Sequence, residues 1–265
     1  MKETNDLYVR YKETSQTREV TVYDTEELYG ERGSFRVLQF ADGAVQGAMD
    51  VGHPERILFE YPRAIIHLME FNDPSFEDVF IIGHGIGTLA GYLEEKRCKV
   101  AEIDQKIVEL SREWFGYAQD NVRIGDGRRL LEKEPSQAYD YLIVDAFTEQ
   151  GTPAHLSSRE FFLTTRDKLG SGGAIIMNLM GKGVLDKRVQ AIHTTIGEVY
   201  AYTQSFVLPA EGSRDMQNIL LMGSDRPIGY QARHMAGFIE TELMPGYVIR
   251  DNSFMVEKKY GACRG

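Results

Sequence analysis

At 265 residues the chain is long enough to bury a full core, and 42% hydrophobic with 26% charged residues is the composition of a folded soluble protein. Lys plus Arg is 30 against 40 Asp plus Glu, a net charge of −10; such a surface repels phosphate backbones, which argues against nucleic acid as a partner and leaves room for a small cationic one. Two cysteines, Cys98 and Cys263, are too few for a metal knuckle, so no metal site is expected; the polar start from Met1 to Arg18 and the lack of a run of about 18 apolar residues predict neither export nor a membrane span, which makes the cytoplasm and reduced thiols the expectation.

In chain order, Glu19–Tyr23 and Phe35–Phe40 alternate apolar and polar residues, as half-buried strands do, with Tyr29-Gly30-Glu31-Arg32-Gly33 as a turn between them. A small antiparallel β unit is expected over roughly residues 5–50, and the chain divides into a unit 1–52 and a larger domain 53–265. A helix is predicted from Pro54 to Met69, with Ile57, Leu58, Tyr61, Ile65 and Leu68 at helical spacing. From residue 75 the pattern becomes strand, loop, helix, repeated. The predicted strands are Val79–Ile82, Lys99–Ile103, Val122–Ile124, Tyr141–Val144 and Ala174–Met177, with a late, antiparallel candidate at Asn218–Met222. Between them, helices are predicted at Leu89–Glu95, Gln105–Trp114, from Gly127 to about Glu134, and at Phe161–Leu169 closed by Gly170. This alternation predicts an α/β fold, a Rossmann-like, doubly wound, mainly parallel sheet with helices on both faces.

Ligands of such sheets lie beyond the carboxyl ends of the strands. Standing there are Gly83-His84-Gly85-Ile86-Gly87, then Glu102 and Asp104, Asp126, and Asp145. The glycines let a ligand approach the backbone, and the carboxylates suit ribose hydroxyls, an adenine amino group and an ammonium group. The loop alone is also compatible with a tight turn. Its G-x-G-x-G spacing departs from the dinucleotide G-x-G-x-x-G, yet with Glu102 as a ribose acid NAD remains an alternative at this point.

The run from Val79 to about Met180 resembles the catalytic domain of spermidine synthases, within the class of S-adenosylmethionine methyltransferase folds. The resemblance rests on the glycine loop from Val79 to Thr88, Ala101-Glu102-Ile103-Asp104 with Ile107 and Ser111-Arg112, Gly125-Asp126-Gly127, and Tyr141–Asp145. Leu156–Phe162 and Leu169–Gly173 resemble the following segment. More loosely, Asp42-Gly43-Ala44-Val45-Gln46 is similar to the family's β-hairpin at the site, and Tyr61 with His67 to its gate helix.

The resemblance implies S-adenosylmethionine, or its decarboxylated form, as ligand. Glu102 with Ile103 would hold the ribose side, and Asp126 with Gly127 the adenine. Gln46 and the loop Gly83, His84, Gly85, Ile86 and Gly87 would line the methionine-derived tail, and Asp145 would lie near the reacting sulfonium. It also implies a small-molecule acceptor and a homodimer paired through sheet or hairpin regions.

The chain departs from that pattern at three places. Where the family's loop has a second Asp that takes the amine proton, Asp145-Ala146-Phe147-Thr148-Glu149-Gln150 offers Thr148, with the neighbouring carboxylate Glu149 as substitute. The acid of the glycine loop is Ile86, a position also non-acidic in putrescine N-methyltransferases. The gate helix has Arg63 in place of a polyamine-binding Glu. Each change removes negative charge from the place of a dicationic amine, where one pair at about 4 Å is worth about 4 kcal/mol at an effective dielectric near 20. Methyl transfer to an unidentified acceptor is therefore the expected reaction, with Asp145, Thr148 and Glu149 as catalytic candidates and Tyr61, Arg63 and His67 as acceptor contacts; aminopropyl transfer to putrescine and a non-catalytic nucleoside binder are the alternatives. His84, Trp114 and Tyr117 read as packing residues, and Arg128-Arg129 as the exposed side of a helix.

Overall fold

The computed structural model describes residues 7–14, 19–41, 43, 45–148, 151–210, 212 and 215–252. Four strands come first: β1 (Tyr8–Thr14), β2 (Glu19–Leu28), β3 (Glu31–Phe40) and β4 (Val45–Asp50) pair antiparallel in chain order. The alternation of β2 sends Val20 and Val22 to one face and Tyr23 to the other. Leu28 pairs with Glu31 across Tyr29-Gly30, both at positive φ (48° and 81°), as a two-residue type I′ connection requires.

Helix α1 (Glu60–Asn72) begins six residues later than the spacing predicted. Residues 51–56 are exposed and irregular instead, because Arg56 leaves the helical path to pair with Glu31 at 2.5 Å and Asp50 at 3.4 Å. Pro62 fits in the first turn of α1, where its missing N–H would have no helical partner.

Then follow β5 (Asp78–Ile82), α2 (Thr88–Tyr92), β6 (Arg97–Glu102), α3 (Gln105–Phe115), β7 (Val122–Ile124), α4 (Gly127–Glu132), β8 (Tyr139–Val144), α5 (Arg159–Lys168), β9 (Leu169–Gly181), α6 (Lys187–Gly197), β10 (Tyr202–Val207), β11 (Gln217–Ser224) and β12 (Ile239–Glu240). The second sheet has the order β12-β10-β11-β9-β8-β5-β6-β7. The five strands β9, β8, β5, β6 and β7 are parallel, and β11, β10 and β12 extend it antiparallel. The late antiparallel strand is thus present as β11, and β10, β12 and α6 join the predicted elements.

Successive residues of β5 and β8 enter opposite layers. Val79, Ile81, Tyr141 and Ile143 meet Ile65, Leu68 and Met69 of α1 and Leu89 of α2. Phe80, Ile82, Leu142 and Val144 meet Phe161 and Phe162 of α5 and Val189, Ile192 and Ile196 of α6. Strands buried on both faces are what the continuous apolar runs anticipated. Helix α5 ends at Lys168, and Gly170 does not close it, because Leu169 is already extended (φ −79°, ψ 139°) and opens β9. The first sheet lies against α3 through Val20, Val22 and Leu38 on Ile107, Leu110 and Phe115, and Arg36 donates to the Trp114 carbonyl at 3.0 Å.

Candidate active site

The chain turns outward in opposite directions from the neighbours β5 and β8, so the ends of these two strands form the topological switch point where α/β sheets open a crevice. The Gly83 N–H donates to Ala101 O of β6 at 2.9 Å, and the Asp145 N–H donates to Ile82 O at 2.8 Å, which brings the loops after β5 and β8 side by side. They touch so closely that a Cβ on Gly83, already at φ +101°, would collide with the Asp145 carbonyl oxygen. Gly87 at φ +89° caps α2 in the left-handed region, and a side chain there would strike the Tyr117 ring.

A cavity of about 1540 Å³ opens at this point. That exceeds the roughly 300–1,000 Å³ of a single small-ligand pocket and leaves space for two reactants. Glu102, at the end of β6, sits in its wall. One carboxylate oxygen accepts the His84 N–H and the other the Asp104 N–H, each at 2.9 Å. With the Ile103 N–H as a third backbone donor, one of its four lone-pair sites remains. Burial raises the Glu102 pKa, and the backbone donors oppose that shift. Ile103 (71% exposed) and Ile124 (47% exposed) flank this carboxylate as apolar walls open to the cavity. Asp126 caps α4 by accepting the Arg129 N–H at 2.9 Å, and its other oxygen holds His155 Nε2 at 2.8 Å. Asp104 likewise caps α3. These strand-end acids therefore combine the capping role that their position favours with a place in the cavity wall.

At the switch point, Asp145 is the centre of a polar chain. It accepts from Asn178 Nδ2 at 2.9 Å and from the Tyr61 hydroxyl, and Asn178 Oδ1 in turn accepts from Asn218 at 3.0 Å. Burial raises the pKa of Asp145; the donors Asn178 and Tyr61 pull it back. The Tyr61 hydroxyl is pushed well above the ordinary tyrosine range by burial and by the facing carboxylate. Asn178 and Asn218 were missed by sequence reasoning. Their signal was polarity at the sheet-end positions of two otherwise apolar strands, β9 and β11.

His84 is buried and packs edge-on against Tyr117 with ring centroids 4.6 Å apart. Its Nε2 lies 2.8 Å from Ser111 Oγ, whose own proton goes to Val108 O, so Nε2 is the protonated nitrogen. Nδ1 has no hydrogen-bond partner among the described residues, and desolvation pushes the pKa down to about 4.

Gly83, His84, Gly85, Gln46, Glu102, Ile103, Asp126, Gly127, Asp145, Thr148 and Tyr61 all line the cavity. Arg63 and His67 do not: the Arg63 guanidinium folds back on Phe59 O and Glu60, and His67 accepts the Gln231 N–H at 3.0 Å beside Phe71 and His234. The Ile86 side chain packs into the seam with the first sheet, against Gly47 and in one cluster with Val20 and Leu38, and the residue also lines a small pocket with Gln46, Tyr61, Gly83 and Asp145. The Thr148 hydroxyl donates to Gly151 O at 2.8 Å and fastens its own loop. Glu149 lies outside the described residues, as do Asp42, Ala44 and Cys263. Arg128 is no exposed cation but grips Asp251 with two bonds of 2.8 Å, tying the segment at 251 to α4. Among the described residues, no group of three or more His, Cys, Asp or Glu is placed to hold a metal, and no helix is long and apolar enough to cross a membrane.

The Spermine/spermidine synthase domain matches residues 58–215. A polyamine aminopropyltransferase of Vibrio vulnificus is 28% identical over 201 residues, 72% of this chain and 65% of the relative. Putrescine N-methyltransferase 2 of Nicotiana attenuata is 31% identical over 145 residues, 51% of this chain and 38% of that one. The matched region thus spans less than two thirds of either relative. The spermidine synthase of Thermotoga maritima superposes with a TM-score of 0.67 at 19% identity, over 96% of this chain and 88% of its own, a likeness of fold.

Proposed function

The chain belongs to the spermine/spermidine synthase family, and from that premise we propose that it is a transferase using an adenosyl-sulfonium donor, S-adenosylmethionine or its decarboxylated form, and a small amine acceptor. The observation that carries this reading is the row of strand-end carboxylates, Glu102, Asp126 and Asp145, set around one cavity beside the Gly83 loop. Glu102 suits ribose hydroxyls, Ile103 and Ile124 the faces of a purine, and Asp126 its amino group. The sulfonium supplies an electrophilic carbon; the protein contributes proximity and alignment. Asp145, held by Tyr61 and Asn178, faces the cation from which the group departs and takes up the proton that the amine gives off.

Methyl transfer is favoured over aminopropyl transfer by one position. Ile86 is apolar and packed in the seam, so the loop presents no carboxylate for the ammonium of a decarboxylated tail. Calorimetry and thermal shift with S-adenosylmethionine, the decarboxylated compound, methylthioadenosine and NAD test the reading. A ligand at 100 times its dissociation constant adds about 2.7 kcal/mol, and stabilisation by NAD alone refutes it. Mass spectrometry of the acceptor product then separates methyl from aminopropyl transfer; an aminopropylated product overturns the preference between them.

A further inference from the structure

Beyond Asp145, the acceptor side of the cavity is aromatic. Tyr61, Phe59 and Tyr29 follow one another along its wall, Phe59 stacked on Tyr61 at 6.4 Å and 26°, and Tyr29 edge-on to Phe59 at 6.1 Å and 61°. Tyr29 is 77% exposed and sits at φ 48°, a left-handed position at which a bulky side chain is an outlier. The tip of the β2–β3 hairpin thus holds a ring in a costly conformation at the cavity mouth, where strain accompanies function more often than it does elsewhere.

The charges of the cavity complete the picture. Every described carboxylate lining it already has a partner. Glu13 and Glu109 pair with Lys106, Asp104 and Asp126 cap helices, and Glu102 takes three backbone N–H groups. On the aromatic side, Glu60 is paired with Arg63 at 3.3 Å. Asp145, held by the neutral donors Asn178 and Tyr61, is the described acid there whose charge no cation among the described residues offsets. Beyond the one acid at Asp145, the rings offer an aryl group edge-to-face or offset-stacked contacts, whereas a second ammonium would have to give up its water to lie there without a carboxylate of its own.

We infer that the acceptor is an arylalkyl monoamine, its nitrogen at Asp145 and its ring against the wall of Tyr61, Phe59 and Tyr29. The inference rests on the donor reading proposed above. In the reaction Asp145 first takes a proton from the bound ammonium and frees the nitrogen lone pair; that pair forms the new N–C bond while the C–S electron pair passes to the sulfonium sulfur, leaving a secondary ammonium and a neutral thioether, and the proton passes from Asp145 to water.

The test uses the full chain, calorimetry with S-adenosylhomocysteine, and turnover with labelled S-adenosylmethionine and its decarboxylated form. 2-Phenylethylamine should be consumed with a kcat/KM at least about tenfold above that of putrescine, the scale of one good ring contact. Tyr29→Gly removes the ring at a position already in the region glycine prefers, so it should fold at least as well as the parent. It should raise the KM for 2-phenylethylamine about tenfold while S-adenosylhomocysteine binds as before. Preference for putrescine, an unchanged KM in Tyr29→Gly, or a bound donor with neither amine consumed overturns the inference. Failure of every adenosyl ligand to bind, seen before any amine is added, refutes the donor reading and removes the ground of this one with it.

Discussion

Replacing His84 with glutamine should remove a large part of the protein's sensitivity to mild acid. The imidazole is buried against Tyr117, its Nε2–H is spent on Ser111, and protonation would place a second N–H and a charge where Nδ1 finds no partner among the described residues. The folded pKa is accordingly pushed down, from 6.5 to about 4. The unfolded chain therefore binds more protons than the folded one between those values, so stability is full above pH 6.5 and is lost as the pH falls towards 4. Over the whole interval the loss is roughly 3 kcal/mol, and between pH 7 and 4.5 about 2.4 kcal/mol. Glutamine keeps an amide donor for Ser111 and does not titrate. Urea unfolding of parent and His84→Gln at pH 7 and pH 4.5 gives the effect as a difference of differences, in which the carboxylates common to both cancel. If the two proteins lose the same stability to within about 0.5 kcal/mol, the burial argument for His84 is wrong.

Asn178→Ala removes a donor to the Asp145 carboxylate, so the acid limb of the turnover profile should move up by about one pH unit; Tyr61→Phe should move it the same way, and a downward shift in either would contradict the polar chain. Gly83→Ala should abolish S-adenosylhomocysteine binding in calorimetry and lower the melting temperature, because its Cβ cannot avoid the Asp145 carbonyl; binding at parental affinity would show that the two loops are not locked. Arg128→Ala should cost about 1–2 kcal/mol in urea unfolding, kept modest because Asp251 is partly exposed. A double-mutant cycle with Asp251→Ala should show coupling, and additive effects would deny the clasp.

What was legible in the sequence follows from what a parallel sheet does to its residues. Buried strands are continuous apolar runs, and the first polar residues after them are the strand ends, so Gly83, Glu102, Asp126 and Asp145 could be placed around one crevice before any coordinate was known. The start of α1 was not legible, since Ile57 and Leu58 keep helical spacing while the position of Arg56 is decided by Glu31 and Asp50, acids distant in sequence or across a turn. Nor were Asn178 and Asn218, whose role depends on β9 and β11 being neighbours in an antiparallel register. Arg63 and His67 were placed by resemblance alone, and a helix face fixes direction more strictly than spacing does: both point away from the cavity.

Ile86 carries the most consequential difference between reading a residue type and reading a place. In the sequence it stands out as a missing acid, a change of one charge in the glycine loop. In the fold its side chain fills the seam between the loop and the first sheet, and a Cβ on Gly47 would lie 2.7 Å from it. An acid put back at 86 would have to leave that seam for the cavity or be buried among Val20, Leu38 and Leu110, where an unpaired carboxylate costs several kcal/mol. The loss of charge is thus tied to the packing of the β4 hairpin on the loop. The donor preference proposed above and the docking of the first sheet involve the same side chain, and reverting one without disturbing the other would require a larger residue at Gly47 as well.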